Sequence, residues 1–158
     1  MPQLYFAHKA LQGESGHDAG RQLLAELYQR HLGDTMPPIV VTHRGKPYFK
    51  DSGWHFSISH TKNHAFCALC DCPVGLDAEE LTRQVNPIVA EKALSAGEKA
   101  QYEEAQDKNR ALLTFWVLKE ADGKRTGKGV GIHPNHTDFM LTDRRVFEHA
   151  GCLVAIIY

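Results

Sequence analysis

Apolar residues in the N-terminal part of the chain follow both strand and helix spacing. Over residues 18–32 they recur at helical intervals, with Asp18 as a candidate N-cap and Gly33 as a natural end of the helix. Within residues 54–59 apolar and polar side chains alternate, which is typical of a strand. The strands predicted in this part include residues 4–6, 39–42, 54–59 and 65–70.

The C-terminal part is predicted to be helical first and extended afterwards. Ser95 and Glu98 have the spacing of a capping box, and Asp107 is a candidate cap for a long helix. Pro87 favours the first turn of an earlier helix. The predicted helices cover residues 87–93, 96–105 and 108–126, and the predicted strands cover residues 74–79, 138–141, 145–149 and 152–158.

These elements predict an α+β fold, because helices and antiparallel strands occur in both parts of the chain. The length of 158 residues fits one domain over residues 1–158. We expect an N-terminal half of about residues 1–72 and a C-terminal half of about residues 73–158. The two halves look alike in outline, although no sequence repeat relates them.

Charge and hydropathy narrow the class of partner. The chain has 18 Lys and Arg against 19 Asp and Glu, so bulk electrostatic binding to nucleic acid or to a membrane is not expected. No apolar run approaches the roughly 18 residues of a membrane span, and the first residues lack the pattern of a secretory leader. We therefore expect a cytoplasmic protein in which any phosphate recognition is local.

The cysteines are expected to be reduced. Cys67 and Cys70 have the two-residue gap of a metal or redox pair, but they lie in a predicted buried strand. A zinc site needs a second well-spaced pair, and only Cys152 remains outside that segment. Buried thiols that behave as small apolar residues are the prediction.

Two acids at the end of a predicted strand are the first candidates for chemistry. Asp77 and Glu79 are two residues apart, so on an extended backbone their side chains point to the same face. Two such carboxylates repel each other unless a cation lies between them, and Mg²⁺ prefers oxygen ligands. The alternative is an exposed strand end with two solvated acids.

A third acid lies on the long predicted helix. Trp116, Glu120 and Lys124 form one stripe at intervals of four residues, with Lys119 beside it. Glu120 is a candidate third metal ligand, and the two lysines are candidates for neutralising a phosphate. The alternative is an ordinary Glu-to-Lys pair on an exposed face. Gly123 indicates either close approach of a ligand or backbone, or fraying of the helix.

The order of these motifs resembles a known family. Gly-Lys-Pro at residues 45–47 is followed by Phe-Ser-Ile-Ser-His at 56–60, Val-Gly-Leu-Asp-Ala-Glu at 74–79, and Phe-Trp-Val-Leu-Lys-Glu-Ala at 115–121. Together they resemble the 4'-phosphopantetheinyl transferase superfamily, and most closely its broad-specificity type that activates peptide and polyketide synthetases. The resemblance covers about residues 44–130.

The resemblance implies a fold and a reaction. The family fold is α+β, with two similar halves related by a pseudo-two-fold axis and the active site at their junction. Its members transfer the phosphopantetheine arm of coenzyme A to a serine of an acyl, peptidyl or polyketide carrier protein and release adenosine 3',5'-bisphosphate. By this resemblance Asp77, Glu79 and Glu120 would bind Mg²⁺, and the enzyme is able to act as a monomer.

The resemblance also implies contacts with coenzyme A. Lys46 and His60 would contact its nucleotide end, with His60 near the 3'-phosphate and Ser59 assisting there. Lys119 and Lys124 would face the pyrophosphate. Glu120 and Lys124 are the predicted catalytic residues, with Glu120 as base, as metal ligand or as both.

Some positions depart from the family pattern. The region before residue 20 is short, so that Lys9 and Arg21 are the available substitutes for the family's basic contacts to the 3'-phosphate. Asp122 and Gly123 replace a bulkier pair and add a negative charge near the predicted phosphate face. The alternatives are a non-catalytic relative that binds coenzyme A or a carrier protein, and an unrelated magnesium-dependent phosphohydrolase.

Overall fold

The computed structural model describes residues 1–130 and 134–158. The strands are β1 (Leu4–Ala10), β2 (Ile39–Val41), β3 (Pro47–Phe49), β4 (His55–His60), β5 (His64–Cys70), β6 (Gly75–Glu80), β7 (Val146–His149) and β8 (Cys152–Ile157). The helices are α1 (Gly16–Leu32), α2 (Ile88–Ala93), α3 (Ala96–Glu104) and α4 (Lys108–Thr126), with a short 3₁₀ turn at Pro134–His136. No helix among these residues is long and apolar enough to cross a bilayer.

Two three-stranded antiparallel sheets form the centre of the molecule. The N-terminal sheet has the order β1-β5-β4 and the C-terminal sheet has the order β6-β8-β7, while β2 and β3 form a separate antiparallel pair. The predicted mixture of helices and antiparallel sheets is confirmed. In each three-stranded sheet, the strand that comes last in the sequence lies between the other two. A pseudo-two-fold axis between the halves stays a prediction.

The buried residues of β5 and β8 arrange the sheets and helices in layers. Leu69 of β5 belongs to a core cluster with Leu24 of α1, whereas its neighbour Ala68 belongs to a cluster with Val154 of β8. On β8 the next residue, Leu153, packs with α4. Because successive strand residues face opposite sides, the layers follow the order α1, N-terminal sheet, C-terminal sheet, α4.

Serine hydroxyls connect the two sheets where β4 meets β6. The backbone N–H of Leu76 donates to Ser57 Oγ at 2.9 Å, and that of Ala78 donates to Ser59 Oγ at 3.1 Å. Two buried backbone groups of β6 are thus satisfied by side chains of the other half. The contacts fix β6 beside β4, which sets the position of the acids on β6.

Two of the three predicted helix caps are present. Ser95 and Glu98 form a capping box at α3, and the Asp107 side chain accepts from Arg110 N–H at 2.9 Å at the start of α4. The cap predicted at Asp18 is wrong. Ser15 caps α1 by accepting from the N–H of Asp18 at 3.1 Å, so Asp18 lies inside the first turn, where its charge favours the helix dipole.

The strand predicted over residues 138–141 is absent. The N–H of Phe139 donates to Glu98 Oε2 and the N–H of Leu141 donates to Gln101 Oε1, both at 2.9 Å. Side chains of α3 therefore satisfy the backbone groups that a neighbouring strand would otherwise bond. The apolar pattern of this segment reflects packing of Phe139 and Leu141 against the helices.

Candidate active site

The acids predicted to act together line one pocket between β6 and α4. Its volume is about 370 Å³. Asp77 and Glu79 pair across the sheet with Ala155 and Leu153, which belong to the core on the α4 side. The polar lining side chains are Ser59, His60, Asp77, Glu79, Arg83, Glu120 and Lys124, with Trp116 beside them.

Lys124 ties α4 to both sheets. Its Nζ donates to Asp77 Oδ1 at 3.1 Å, to the carbonyl of Leu76 at 3.0 Å and to the carbonyl of Ile58 at 3.4 Å. Glu120 lies one helical turn before it, on the same side of α4. A cation and an acid of one helix therefore face the two acids of β6.

Asp77 is a buried carboxylate with one unused oxygen. The residue is only 6% exposed. Its Oδ1 accepts from Ser59 and Lys124, whereas Oδ2 is buried without a hydrogen-bond partner among the described residues. Burial raises the pKa of Asp77 to about 6; Lys124 opposes the shift, while Glu79 and Glu120 add to it. Such an oxygen favours a bound proton or cation.

The other two acids differ in their surroundings. Arg83 forms an ion pair with Glu79, and its guanidinium carbon lies 5.9 Å from the centre of the Trp116 ring. Burial raises the pKa of Glu120, with Lys124 opposing and Glu79 adding to the shift. Arg83 was not among the predicted site residues. The available signal was a basic residue four positions after Glu79, just past the strand.

The donor set fits a magnesium ion. Three carboxylates supply hard oxygen ligands, and Oδ2 of Asp77 is a ligand position that no group of the described part of the chain fills. Within the described residues, the oxygens of Asp77, Glu79 and Glu120 do not all come within 4.8 Å of one another. Lys124 pairs with Oδ1 of Asp77 and Arg83 pairs with Oε1 of Glu79, so both cations lie beside the proposed ion site.

A second cavity, of about 300 Å³, shares Ile58, Glu120 and Lys124 with the first. Lys46 lines it, and Lys46 Nζ donates to the carbonyl of Arg125 at the end of α4 at 2.9 Å. Burial lowers the pKa of Lys46, and the nearby charge of Arg125 adds to the shift. The two cavities form one cleft with Lys46 towards one end and His60 towards the other.

Ser59 and His60 lie at the end of β4. The Ser59 hydroxyl is engaged by the N–H of Ala78 and by Asp77, so it orients the acid. His60 is exposed and its ring covers the start of α1, where a Cβ on Gly16 would lie 2.3 Å from His60 Cγ. The structure thus brings both residues to the pocket that contains the acids.

A sequence model of the 4'-phosphopantetheinyl transferase superfamily matches residues 73–152. The chain belongs to this family. It is 32% identical over 123 residues to 4'-phosphopantetheinyl transferase psf-1 of Bacillus pumilus, covering 72% of the chain and 52% of that relative. It is also 32% identical over 127 residues to 4'-phosphopantetheinyl transferase gsp of Aneurinibacillus migulanus, covering 75% of the chain and 53% of that relative. The chain spans about half the length of these curated relatives.

One predicted site residue lies outside the pocket that contains the acids. Lys119 Nζ lies 2.7 Å from Glu98 Oε1 and donates to Pro134 O at 2.7 Å and to Thr137 Oγ1 at 2.9 Å. Its side chain is 2% exposed. Lys119 does not line the pocket of the acids, because one residue along α4 turns the side chain by about 100° away from Glu120. Its predicted contact with the pyrophosphate of coenzyme A stays a prediction.

The two unusual residues of α4, Asp122 and Gly123, have structural roles. Asp122 accepts from the guanidinium of Arg125, at 2.8 Å from Nη2, so its charge is neutralised within α4. A Cβ on Gly123 would lie 2.5 Å from the carbonyl carbon of Gly129, because the segment after α4 folds back on the helix. Of the two interpretations of Gly123, close approach of backbone is the one observed.

Proposed function

We propose that this protein is a 4'-phosphopantetheinyl transferase of the holo-[acyl-carrier-protein] synthase class. It transfers phosphopantetheine from coenzyme A to a serine of an acyl, peptidyl or polyketide carrier protein and releases adenosine 3',5'-bisphosphate. The observation that supports this best is the pocket shared by Asp77, Glu79, Glu120 and Lys124, in which one oxygen of Asp77 is buried with no hydrogen-bond partner in residues 1–130 and 134–158.

In this proposal Asp77, Glu79 and Glu120 hold Mg²⁺. When bound, the ion stabilises negative charge on the phosphate oxygens of coenzyme A. Lys124 donates hydrogen bonds from the same wall of the pocket and adds a second positive charge beside the reacting phosphate. Ser59 holds Asp77 in place through its hydroxyl, which makes Ser59 a positioning residue at this end of the cleft.

The serine proton of the carrier must leave during the transfer. Glu120 is the proposed acceptor because it lies in the same pocket and because burial raises its pKa, so that its carboxylate is a stronger base. The serine oxygen then forms a bond to the β-phosphorus of coenzyme A, and the bond from that phosphorus to the bridging oxygen breaks. The nucleotide leaves with that oxygen.

The nucleotide end of coenzyme A is proposed to contact Lys46 and His60. Both are basic residues that line the cleft on either side of the acids. Residues 1–158 would act as one domain and as a monomer, with the active site at the junction of the two halves. The described cysteines are free thiols, and we propose a cytoplasmic location, where coenzyme A and carrier proteins occur together.

Intact-mass measurement of carrier loading tests the proposal. A purified apo acyl carrier protein and an apo peptidyl carrier protein are incubated with the chain, coenzyme A and Mg²⁺. Each carrier is expected to gain the mass of one phosphopantetheine group, and EDTA is expected to abolish the gain. Glu120→Gln is expected to lower the rate of carrier loading by about 100-fold or more. Glu104→Gln, at an exposed acid of α3, is expected to load the carrier at the wild-type rate.

The alternatives give different results in the same assay. A non-catalytic relative binds coenzyme A or carrier without any mass gain. A phosphohydrolase consumes coenzyme A when no carrier is present. Either result would replace the transferase proposal, provided that circular dichroism shows a folded chain.

A further inference from the structure

A second group of ligating side chains lies between the two sheets, away from the transferase pocket. Within β6, Asp77 and Glu79 face α4, whereas Ala78 and Glu80 face the N-terminal sheet, because strand residues alternate. Glu80 pairs across the sheet with Cys152 of β8, and Cys152 pairs in turn with His149 of β7. One row of the C-terminal sheet therefore contains an acid, a thiol and an imidazole.

The N-terminal sheet contributes imidazoles to the same end of the space between the two sheets. His64 begins β5 on the side that Phe66 shares with the C-terminal sheet. His8 of β1 is next to it, with His8 Nε2 at 2.9 Å from His64 Nδ1. The ring centres of His8 and His149 are 4.9 Å apart, so the imidazoles of the two sheets meet.

Three of these side chains are close enough to share one ion. Ligand atoms of His64, Glu80 and Cys152 all lie within 4.8 Å of one another. The Cys152 thiol donates to Glu80 Oε2 at 3.6 Å, and Cys152 is fully buried. Each ligand comes from a different strand, and these strands belong to two sheets that pack together. The spacing is therefore fixed by the fold.

Neighbouring groups hold the ligands in orientation. The Thr61 hydroxyl donates to Glu80 Oε1 at 2.7 Å and the Asn63 amide donates to the same oxygen at 3.4 Å, which leaves Oε2 for an ion. Because Nδ1 of His64 contacts His8, Nε2 of His64 is the nitrogen available to bind an ion. Metal-binding histidines and carboxylates are commonly oriented by second partners of this kind.

We propose that His64, Glu80 and Cys152 form a binding site for a thiophilic divalent cation, with Zn²⁺ as the best match. A thiolate, an imidazole nitrogen and a carboxylate oxygen suit Zn²⁺, whereas Mg²⁺ takes oxygen ligands. Binding converts the Cys152 thiol into a thiolate and releases its proton to solvent, so affinity rises with pH. A water would fill the fourth position. No ligand is shared with the transferase pocket, so this site does not depend on the proposed function.

Cobalt substitution tests the site without reference to activity. The full chain is treated with EDTA, reduced and titrated with Co²⁺, whose bond to a thiolate gives a charge-transfer absorption band. The band is expected to saturate at one equivalent per chain and to disappear on addition of Zn²⁺. Cys152→Ser is expected to abolish the band, and His64→Gln to weaken Co²⁺ binding at least about tenfold.

A second cysteine cluster provides the matched control. Cys70, at the end of β5, and Asp71 and Cys72, on the connection to β6, are also close together. Cys72→Ser, which removes the partly exposed thiol of that cluster, is expected to leave the band and its stoichiometry unchanged. If Cys152→Ser does not fold, His64→Gln decides, since His64 is only partly buried. No saturable band in the wild-type chain, unchanged Co²⁺ affinity in His64→Gln, or loss of the band in Cys72→Ser would each overturn the assignment.

Discussion

Lys119 Nζ lies 2.7 Å from Glu98 Oε1, and the two side chains are 2% and 0% exposed. Glu98 also accepts from the N–H groups of Ser95 and Phe139, and Lys119 donates to Thr137. One buried ion pair thus connects α3, α4 and the segment that leads to β7. The pair lies on the far side of α4 from Asp77.

Lys119→Ala is expected to lower the free energy of unfolding by about 3–5 kcal/mol, because it leaves the Glu98 carboxylate buried without its counterion. Urea unfolding followed by circular dichroism measures the change. Lys92→Ala, at an exposed lysine of α2, should change it by less than about 0.5 kcal/mol. A loss below about 1 kcal/mol in Lys119→Ala would show that the pair contributes little.

β6 and α4 approach each other closely at Gly75. A Cβ there would lie 1.8 Å from the carbonyl oxygen of Ala121, a backbone atom of α4. Gly75→Ala is therefore expected to separate the strand from the helix and to cost about 1–3 kcal/mol or more. Gly53→Ala is the matched control, since nothing lies within 4 Å of its Cβ position. Equal thermal unfolding midpoints for the two variants would contradict this packing.

The raised pKa of Asp77 predicts a pH dependence of stability in metal-free protein. Burial raises the pKa from its ordinary value of 3.8 to about 6. The folded chain therefore binds the proton more tightly than the unfolded chain does. Between pH 7 and pH 4 this group alone should add stability as the pH falls, by up to about 3 kcal/mol.

Urea unfolding in EDTA at pH 7 and pH 5 measures this effect. Other carboxylates contribute in the wild type and in Asp77→Asn alike, so the difference between their pH dependences isolates Asp77. The wild type is expected to gain more stability, or to lose less, than Asp77→Asn on acidification. Parallel pH dependences would mean that Asp77 is not perturbed.

Lys124→Ala tests the cation of the proposed transferase pocket. The variant removes the hydrogen bond from α4 to Asp77 Oδ1, and with it a positive charge in the pocket. Carrier loading under saturating coenzyme A is expected to slow by about 100-fold. Lys50→Ala, at an exposed lysine near β3, should load the carrier at the wild-type rate. A Lys124→Ala variant with full activity would remove Lys124 from the chemistry.

Local signals in the sequence were sufficient to predict most helices and strands. The capping box at Ser95 and the cap at Asp107 place two helices correctly, since each depends on residues three positions apart. The alternation in β4 also identified the strand that presents Ser59 and His60. The strand predicted over residues 138–141 was wrong because its backbone partners, Glu98 and Gln101, are distant in sequence.

In the candidate site, too, local spacing was predictable and contacts between residues distant in sequence were not. Asp77 and Glu79 were predicted to share a face because strand periodicity alone decides it. The environment of Lys119 depends on Glu98 and Thr137, which no spacing rule connects to it. The contact between Glu80 and Cys152 spans 72 positions of sequence and follows only from the pairing of β6 with β8.

Gly75 has a further consequence for β6. If that strand slipped by one position against β8, Asp77 would turn into the apolar space beside Phe66, and Glu80 would turn away from Cys152. Both proposed cation sites would be lost together. The tight fit of Gly75 under Ala121 admits no side chain, so the displaced alignment is sterically blocked. Gly75 thereby fixes the register that keeps the two proposed cation sites on opposite faces of β6.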